Sequence, residues 1–431
     1  MNKLEQFNIL DLFCGAGGFS LGFDILNKLI YHHEYGNLTN NFCKNYMEFT
    51  EINKDIKLSF NVKYGIDYHD NALKTFEYNH KNAKGIKFNI SCEDLSELNS
   101  KISNIDVIIG SPPCQGFSLA GVRDPNDPRN NLSLNYFNFV KKYKPSYFLL
   151  ENVPGIIKWD KFSKLKTKIK SLDYSYIGLV VNASDFYVPQ NRKRFILFGW
   201  KNGLYPPELS NLTKLGNTSV FESISDIEVE QYTDKNLTYP HTSENLSLFQ
   251  KYVRMNSDYA QDMETTVHSE QMVEKYSLIE PGKKLDEDLI KEKNIATGKK
   301  KKIPIYKLDP NNRCKTITVQ RSDFVHYKFP RVLTIREMAR LQSFPDYFLF
   351  PDDVVRTTTG ATRKGANSRE QQIGNAVPPL LSLQLAYSIW KGILLGYKLT
   401  GEKIKKSEKI KSMELEKFLN NSFKNRPPPI N

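Results

Sequence analysis

A cysteine and a glutamate in this sequence could together activate a pyrimidine ring. Cys114 lies within Ser-Pro-Pro-Cys-Gln-Gly-Phe-Ser (residues 111–118), and Glu151 begins Glu-Asn-Val (residues 151–153). A thiolate that adds to carbon 6 of cytosine, with a carboxyl group hydrogen-bonding to or protonating ring nitrogen 3, makes carbon 5 nucleophilic. Carbon 5 can then accept a methyl group from a sulfonium donor. Because a free cysteine is more often inert packing, the pair alone does not establish this chemistry.

Both residues are expected at the same edge of a parallel sheet. The apolar run at residues 105–109 precedes Cys114, and a second run at residues 147–150 precedes Glu151. Short apolar runs of this kind predict buried parallel strands. Open sheets carry their chemistry on the loops that leave the carboxyl ends of such strands. The two prolines before the cysteine stiffen its loop, which favours a nucleophile held in place.

A glycine-rich turn near the start of the chain predicts a ligand site. Residues 7–13 predict a first strand, and Cys-Gly-Ala-Gly-Gly at residues 14–18 predicts a tight turn where a ligand can approach the backbone. A dinucleotide enzyme is disfavoured, because the glycines do not form G-x-G-x-x-G and the next strand-end acid, Asp67, lies far downstream. The apolar face predicted for the following helix comprises Phe19, Gly22, Phe23, Leu26 and Ile30.

These motifs, in this order, resemble those of the DNA cytosine-5 methyltransferases. Gln-Asn-Arg-Lys-Arg (residues 190–194) resembles the arginine motif of that family, and residues 333–345 and 372–379 resemble its two closing motifs. The resemblance covers residues 7–200 and 331–392. It implies an α/β fold: a Rossmann-like S-adenosylmethionine-dependent methyltransferase sheet with a smaller, irregular target-recognition domain. The implied activity is methyl transfer to carbon 5 of a flipped-out cytosine in a specific duplex sequence, through a covalent cysteine–cytosine adduct.

The same resemblance implies roles for individual side chains. Asp67 would hold the ribose hydroxyls of S-adenosylmethionine, Tyr68 would flank its adenine, and Asp94 would accept a hydrogen bond from the adenine amino group. Arg194 would buttress the catalytic acid, and Arg192 would face the bound nucleotide. The catalytic residues implied are Cys114, Glu151, Arg192 and Arg194. The cofactor-binding residues implied are Phe13, Gly15, Gly17, Gly18, Asp67, Tyr68, Asp94, Pro112, Leu132, Asn375 and Val377. The DNA-binding residues implied are Gln115, Ser118, Arg192 and Thr316.

Two of these motifs also have a purely structural explanation. A basic strand edge such as residues 190–194 commonly does no more than protect the edge of a sheet. Residues 333–345 predict an amphipathic helix in which Thr334 is the N-cap and Glu337, three residues later, completes a capping box.

Composition agrees with a nucleic-acid enzyme. The chain has 431 residues, enough for two domains with their own cores, and a formal net charge of +13, which suits a polyanionic partner. No apolar stretch is long enough to span a membrane and the start is no secretory signal, so a cytoplasmic, nucleoid-associated protein is expected. The five cysteines show no C-x-x-C spacing, so no metal is expected.

The motifs suggest a division of the chain by function. We expect a catalytic and cofactor-binding part over residues 1–204, with an insertion at residues 31–62, and a target-recognition region over residues 205–330. Residues 331–396 would return to the catalytic domain, and residues 397–431 would form a basic, partly disordered tail that begins as the end of the last helix. Most insertions of this kind are surface embellishments.

The target-recognition region discloses no readable code. A run of lysines at residues 299–302 could contact phosphates, but such runs are usually solvated loops. Arg313, Gln320 and Arg321 are conceivable readers of base edges.

Two other functions stay open from the sequence. A transfer-RNA cytosine methyltransferase of the same fold would use the same Cys114 and Glu151, although the long interval between residues 205 and 330 argues against a compact RNA-acting enzyme. A catalytically silent nucleic-acid-binding module is the second alternative, and the intact pair argues against it. We expect a monomer that acts on double-stranded DNA. By family analogy alone, a cognate restriction endonuclease would act on the same site without a stable complex.

Overall fold

A computed structural model of the protein describes residues 5–113, 131–158, 162–231, 239–240, 245–286, 305–351 and 367–400. The described strands are β1 (Glu5–Leu12), β2 (Leu58–Asp67), β3 (Lys84–Lys87), β4 (Val107–Gly110), β5 (Tyr147–Asn152), β6 (Tyr174–Asn182), β7 (Gln190–Asn191), β8 (Lys193–Lys201), β9 (Tyr239–Pro240), β10 (Tyr259–Ala260), β11 (Tyr306–Lys307), β12 (Cys314–Lys315) and β13 (Phe324–Val325). The described helices are α1 (Gly18–Tyr31), α2 (Gly36–Phe42), α3 (Thr50–Ile56), α4 (Asp70–Asn79), α5 (Leu132–Tyr143), α6 (Phe162–Ser171), α7 (Phe221–Ile224), α8 (Leu248–Val253), α9 (Glu270–Ser277), α10 (Ile335–Leu341), α11 (Arg369–Asn375) and α12 (Pro379–Thr400).

A seven-stranded sheet organises the first part of the chain. Its strand order is β3-β2-β1-β4-β5-β8-β6, and neighbouring strands run parallel from β3 to β5. Strand β8 is antiparallel to both β5 and β6. Every residue of β4 and β5 is buried, as the continuous apolar runs before Cys114 and Glu151 predict for strands covered on both faces. The predicted α/β methyltransferase-type sheet is confirmed.

The first helix buries the face that its sequence predicts. Residues Phe19, Gly22, Phe23, Leu26 and Ile30 of α1 are all buried. Gly22 lies against the last helix, since a Cβ atom there would come 2.4 Å from Ser382 and the backbone of Leu383. Glycine at this position therefore allows α1 and α12 to approach closely.

The segment between α1 and β2 is not a surface embellishment. The sequence assigned residues 58–62 to the insertion, but they form the first part of β2. Aromatic side chains of the residues before them pack on α12. Phe42 is fully buried, and the rings of Tyr46 and Phe49 lie 6.0 and 6.1 Å from that of Trp390. The general expectation for insertions does not describe this segment fully, because its aromatic side chains cover part of the last helix.

The helix α10 is buried on every side instead of being amphipathic. Thr334 and Glu337 form the predicted capping box, in which the Thr334 side chain accepts from the Glu337 backbone and the Glu337 side chain accepts from the Thr334 backbone. Its two arginines are fully buried, and the Arg340 guanidinium holds both carboxylate oxygens of Asp346 at 2.9 and 2.6 Å. The expected solvent-facing side was wrong because these charges are neutralised inside the protein.

The chain divides into two compact units. One comprises the described residues within Met1–Phe186, Lys193–Leu215 and Pro379–Asn431, and the other those within Tyr187–Arg192 and Gly216–Pro378. The named strands of the second unit that the structure describes are each two residues long. Since a compact unit need not coincide with a functional region, the division at residues 205 and 331 drawn from the motifs stays a prediction. The last helix extends past Lys391 to Thr400, as predicted, and the tail beyond it lies outside the described residues.

Candidate active site

The glycine turn after β1 is built from backbone conformations that side chains rarely adopt. Phe13, Gly15 and Gly17 have φ angles of +59°, +55° and +96°, and α1 begins immediately afterwards at Gly18. Glycine adopts these angles at no steric cost, whereas Phe13 is strained. Because such strain is concentrated at functional sites, the turn is a strong candidate for ligand contact.

Asp67, at the end of β2, fastens this turn. One oxygen of its carboxylate accepts from the Gly15 backbone at 2.9 Å, and the other accepts from the His69 backbone at 2.9 Å. Each carboxylate oxygen can accept a further hydrogen bond, so Asp67 can still bind ligand hydroxyls. Tyr68, beside it, is 63% exposed and presents an aromatic ring to solvent.

Asp94 lies on the surface after β3. Its carboxylate accepts from the backbone and the hydroxyl of Ser96 at 2.8 and 2.9 Å, and these hydrogen bonds lower the pKa of Asp94. The group is therefore an ionised acceptor, as recognition of an amino group requires.

The loop that leads to the predicted nucleophile is tied to the strand that carries the predicted acid. Pro112 is buried, and its carbonyl accepts from the Asn152 side-chain amide at 3.2 Å. The side-chain oxygen of Asn152 accepts from the Val153 backbone at 2.8 Å. Asn152 thus joins the carboxyl ends of β4 and β5. Cys114, Gln115 and Ser118 lie outside the described residues.

Glu151 and Arg194 form an ion pair on one face of the sheet. Glu151 pairs with Ile196 across the antiparallel β5 and β8 strands, and Arg194 lies two residues from Ile196 on the same face. The distance from the Arg194 Nε atom to the Glu151 carboxylate is 2.7 Å, and the side chains are only 13% and 8% exposed. The arginine therefore neutralises and orients a carboxylate that has little contact with water.

Arg192 makes its hydrogen bonds inside the second unit, to which it belongs. Its guanidinium donates to the carbonyls of Gly374 and Ala376 at 3.1 and 3.0 Å, and more weakly to that of Ile317 at 3.4 Å. The residue is 3% exposed. These contacts support the backbone on both sides of Asn375, and they give Arg192 a supporting role that the sequence did not predict.

Two buried glutamines at this place were not singled out from sequence. The side-chain amide of Gln342 donates to the carbonyls of Ile373 and Ala376 at 2.9 and 2.8 Å, and that of Gln190 donates to Leu341 at 2.8 Å and to Gln342. Gln190 lies in the arginine motif and Gln342 in the first closing motif. Their closeness in sequence to an arginine was the one feature that could have drawn attention to them. Gln342 and Arg192 cap the carboxyl end of α11, and Gln190 holds Gln342 in place.

The remaining predicted residues are distributed as follows. Asn375 is exposed at the end of α11, and Val377 is 2% exposed. Leu132 begins α5 and is half-buried. The Thr316 hydroxyl donates to the Asn191 carbonyl at 2.6 Å, which fixes its oxygen next to the arginine motif.

Searches of the described residues for other site types give two findings. In the part of the chain with described positions, no group of three or more His, Cys, Asp or Glu side chains could hold a metal ion. Within the same residues, no helix has both the length and the apolar character to cross a membrane.

Comparison with known proteins gives consistent results. The model of the family described as C-5 cytosine-specific DNA methylase matches residues 7–391. The type II methyltransferase M.DdeI of Desulfomicrobium norvegicum is 32% identical over 403 residues, which cover 89% of this chain and 88% of that protein. The type II methyltransferase M1.HphI of Haemophilus parahaemolyticus is 29% identical over 392 residues, or 89% and 86% of the two chains. A crystal structure of a prophage-encoded E. coli protein, assigned as a DNA modification methyltransferase, matches with a TM-score of 0.65 and 24% identity over 90% of this chain and 99% of that one, which supports the fold.

Proposed function

This chain belongs to the C-5 cytosine-specific DNA methylases, and from that premise we propose that it methylates cytosine through a covalent adduct with Cys114, using S-adenosylmethionine. It is a DNA cytosine-5-methyltransferase, and the proposal concerns its mechanism, its donor and its biological role. The observation that carries the proposal is the Glu151–Arg194 pair, in which a mostly buried carboxylate lies 2.7 Å from the Arg194 Nε atom, on the strand next to the one that precedes Cys114 in the chain.

The acid and the nucleophile divide the work on the cytosine ring. The Cys114 thiolate adds to carbon 6, while Glu151 hydrogen-bonds to or protonates ring nitrogen 3, so that electron density reaches carbon 5. After carbon 5 is methylated, it loses its proton to a base, and the sulfur leaves from carbon 6. The electron pair of the broken carbon–hydrogen bond restores the ring double bond. Arg194 keeps Glu151 oriented towards the base throughout.

The cytosine must leave the duplex before this chemistry. A thiolate on a loop cannot reach a base inside the stack, so the base is flipped out at a cost of a few kcal/mol. The glycines and prolines of residues 115–129 predict from the sequence alone a lid for this step, and these residues lie outside the described part of the chain. Gln115 and Ser118, which lie outside the described residues, and Thr316 are the proposed DNA contacts.

The residues around the glycine turn fit S-adenosylmethionine, which supplies the methyl group when bound. The left-handed angle of Gly15, where an added Cβ atom would meet no atom within 4 Å, leaves the backbone open to close approach. Asp67 already fixes the turn while it retains acceptor capacity for two vicinal hydroxyls. Tyr68 offers an exposed ring for stacking, and Asp94 offers an ionised acceptor. Pro112, Leu132, Asn375 and Val377 complete the proposed set.

Host protection is the proposed biological role. The most similar proteins reported above are named type II methyltransferases, and the net charge of +13 favours binding of duplex DNA. Methylation of one short sequence would protect that sequence from a cognate restriction endonuclease in the cytoplasm.

Sequencing of bisulfite-treated DNA tests the mechanism and the target together. The chain and its Cys114→Ser variant would be expressed in cells that lack cytosine-5 methylation. We expect methylcytosine at one short sequence with the wild-type chain and none with the variant. Methylation by Cys114→Ser would exclude the adduct, and transfer of a labelled methyl group to tRNA but not to duplex DNA would contradict the proposed substrate.

A further inference from the structure

A buried histidine that no sequence motif assigned to the site lies beneath the glycine turn. His80 follows α4, and its side chain is 1% exposed. Its Nδ1 atom lies 2.7 Å from the Asp24 carboxylate, and its Nε2 atom lies 3.2 Å from the Gly17 carbonyl oxygen. A carbonyl oxygen can only accept a hydrogen bond, so the Nε2 atom donates to Gly17, while the Nδ1 atom is the partner of Asp24. The ring therefore links the turn to the side of α1.

The imidazole occupies the space that a side chain at Gly17 would need. A Cβ atom on Gly17 would lie 2.3 Å from His80 Nε2 and 3.0 Å from Phe76. The Phe76 ring packs on the imidazole at 4.8 Å between centroids. The Gly17 carbonyl also accepts from the Leu21 backbone at 2.8 Å, which starts α1. One carbonyl thus joins the turn, the helix and the histidine.

A second acid, which is buried, belongs to the same cluster. Asp11, at the end of β1, is fully buried, and its carboxylate accepts from the Ser20 hydroxyl at 2.7 Å. Burial raises the pKa of Asp11 to about 7, although the Ser20 hydroxyl and the charge of His80 favour its ionised form. The strand before the turn and the helix after it therefore both contribute acids to the surroundings of His80.

We propose that His80 is a positioning residue for the methyl donor. Its hydrogen bond to the Gly17 carbonyl, supported by Asp24, holds the turn in the left-handed conformation that opens the backbone to the ligand. The inference rests on the proposed function, since it takes the turn as the site of S-adenosylmethionine. All the residues it uses lie in the first unit.

Two amide variants separate the two hydrogen bonds. The amide nitrogen of asparagine reaches the place of histidine Nδ1, so His80→Asn keeps a donor for Asp24 and loses the one for Gly17. The amide nitrogen of glutamine reaches the place of Nε2, so His80→Gln keeps a donor for Gly17 and loses the one for Asp24. We expect the dissociation constant for S-adenosylmethionine to rise about tenfold in His80→Asn and less than about threefold in His80→Gln. The value of kcat at saturating donor and the affinity for DNA should change far less than donor affinity does.

The measurements are calorimetric titration of the full chain with S-adenosylmethionine, steady-state kinetics and the thermal midpoint without ligand. If both variants bound S-adenosylmethionine equally weakly, or if weaker binding only followed a loss of thermal stability, His80 would have a structural role and the proposal would be wrong. Asp24→Asn, which leaves the imidazole in place, provides a second test with an expected rise of about threefold; no rise would remove Asp24 from the proposal. If the wild-type chain failed to bind S-adenosylmethionine at all, the proposed function itself would fail, and this outcome is distinct from the others.

Discussion

At the residue scale, the Glu151–Arg194 pair separates the side chains that act on the base from those that bind the donor. The carboxylate is 8% exposed and lies 2.7 Å from the guanidinium, whereas the glycine turn that we assign to the cofactor is fixed by other residues, Asp67 among them. A change confined to the charge of Glu151 should therefore affect the chemistry of the base and spare the donor site.

We predict that Glu151→Gln binds S-adenosylmethionine with nearly the affinity of the wild type while methyl transfer falls by about 10²- to 10⁴-fold. Glutamine keeps the shape of the side chain but cannot give a proton to ring nitrogen 3. Calorimetry for the donor and single-turnover transfer to a duplex substrate measure the two quantities. Asp185→Asn, which removes a carboxylate elsewhere in the first unit, serves as a control. Parallel losses of donor affinity and rate in Glu151→Gln would indicate a structural role.

The position of a single residue could be predicted where the motif that contains it also determines its partner. Asp67 does lie at the end of a strand, as the apolar run before it predicts. Arg194 does meet Glu151, because it lies two residues from the strand partner of Glu151. The roles of His80, Gln190 and Gln342 were not predictable, since their partners are backbone carbonyls separated from them by many residues in the chain. A carbonyl acceptor leaves no mark in the sequence of either segment.

At the element scale, the helix α10 shows how a family motif can be structural. Burial alone would raise the pKa of Glu337, but the Arg331 guanidinium, His326 and the Thr334 backbone lower it to about 2. Burial, with the positive charge of Arg331, lowers the pKa of His326 to about 4 despite the opposing effect of Glu337. The amphipathic pattern predicted from sequence misled because paired charges inside a protein look the same in sequence as charges facing water.

The buried side chains of Glu337 and His326 make the stability of the folded protein sensitive to acid, and their pKa values fix the direction of the effect. The folded pKa of Glu337 is below its ordinary value of 4.5, so its stabilisation is complete above pH 4.5 and is lost as the pH falls towards 2. The folded pKa of His326 is below 6.5, so its contribution is lost between pH 6.5 and about 4. We expect Glu337→Gln to lose about 3–5 kcal/mol of unfolding free energy at pH 7, since Arg331 loses its buried partner.

Urea unfolding from pH 7 to pH 3 measures these effects. The free energy of unfolding of the wild type should fall more steeply below pH 4.5 than that of Glu337→Gln. Glu274→Gln removes the same charge from an exposed position on α9 and should leave the profile unchanged. Identical slopes for the wild type and Glu337→Gln would contradict the assigned pairing.

At the scale of the whole molecule, the sequence predicted the sheet better than its surroundings. Local apolar runs determine strands β1, β4, β5 and β8, and a parallel sheet follows from them. The packing of residues 32–57 on α12 was not predictable, because it joins segments more than 300 residues apart through aromatic rings such as that of Trp390. The second unit also lacked a readable pattern, since its described strands are too short to give one.

The net positive charge is a property of the whole chain, and from it we predict how salt affects the binding of DNA. Residues 401–431 contain eight Lys or Arg residues and four Glu residues, a net charge of +4 out of the total of +13. Each lost phosphate contact makes the slope of log K against log salt concentration shallower by about 0.9. We predict that a chain ending at residue 400 binds duplex DNA more weakly at low salt and with a shallower slope, while kcat and donor affinity are retained.

The decisive comparison is with a full-length chain in which those eight basic residues are replaced by glutamine. If charge is the cause, this variant and the truncated chain should show the same shallow slope, because both lack the positive tail. Binding isotherms at 50 to 200 mM salt cover a range in which the loss of even two contacts is measurable. A slope equal to that of the wild type in both variants would mean that the tail makes no phosphate contact and that residues 1–400 account for the binding of DNA.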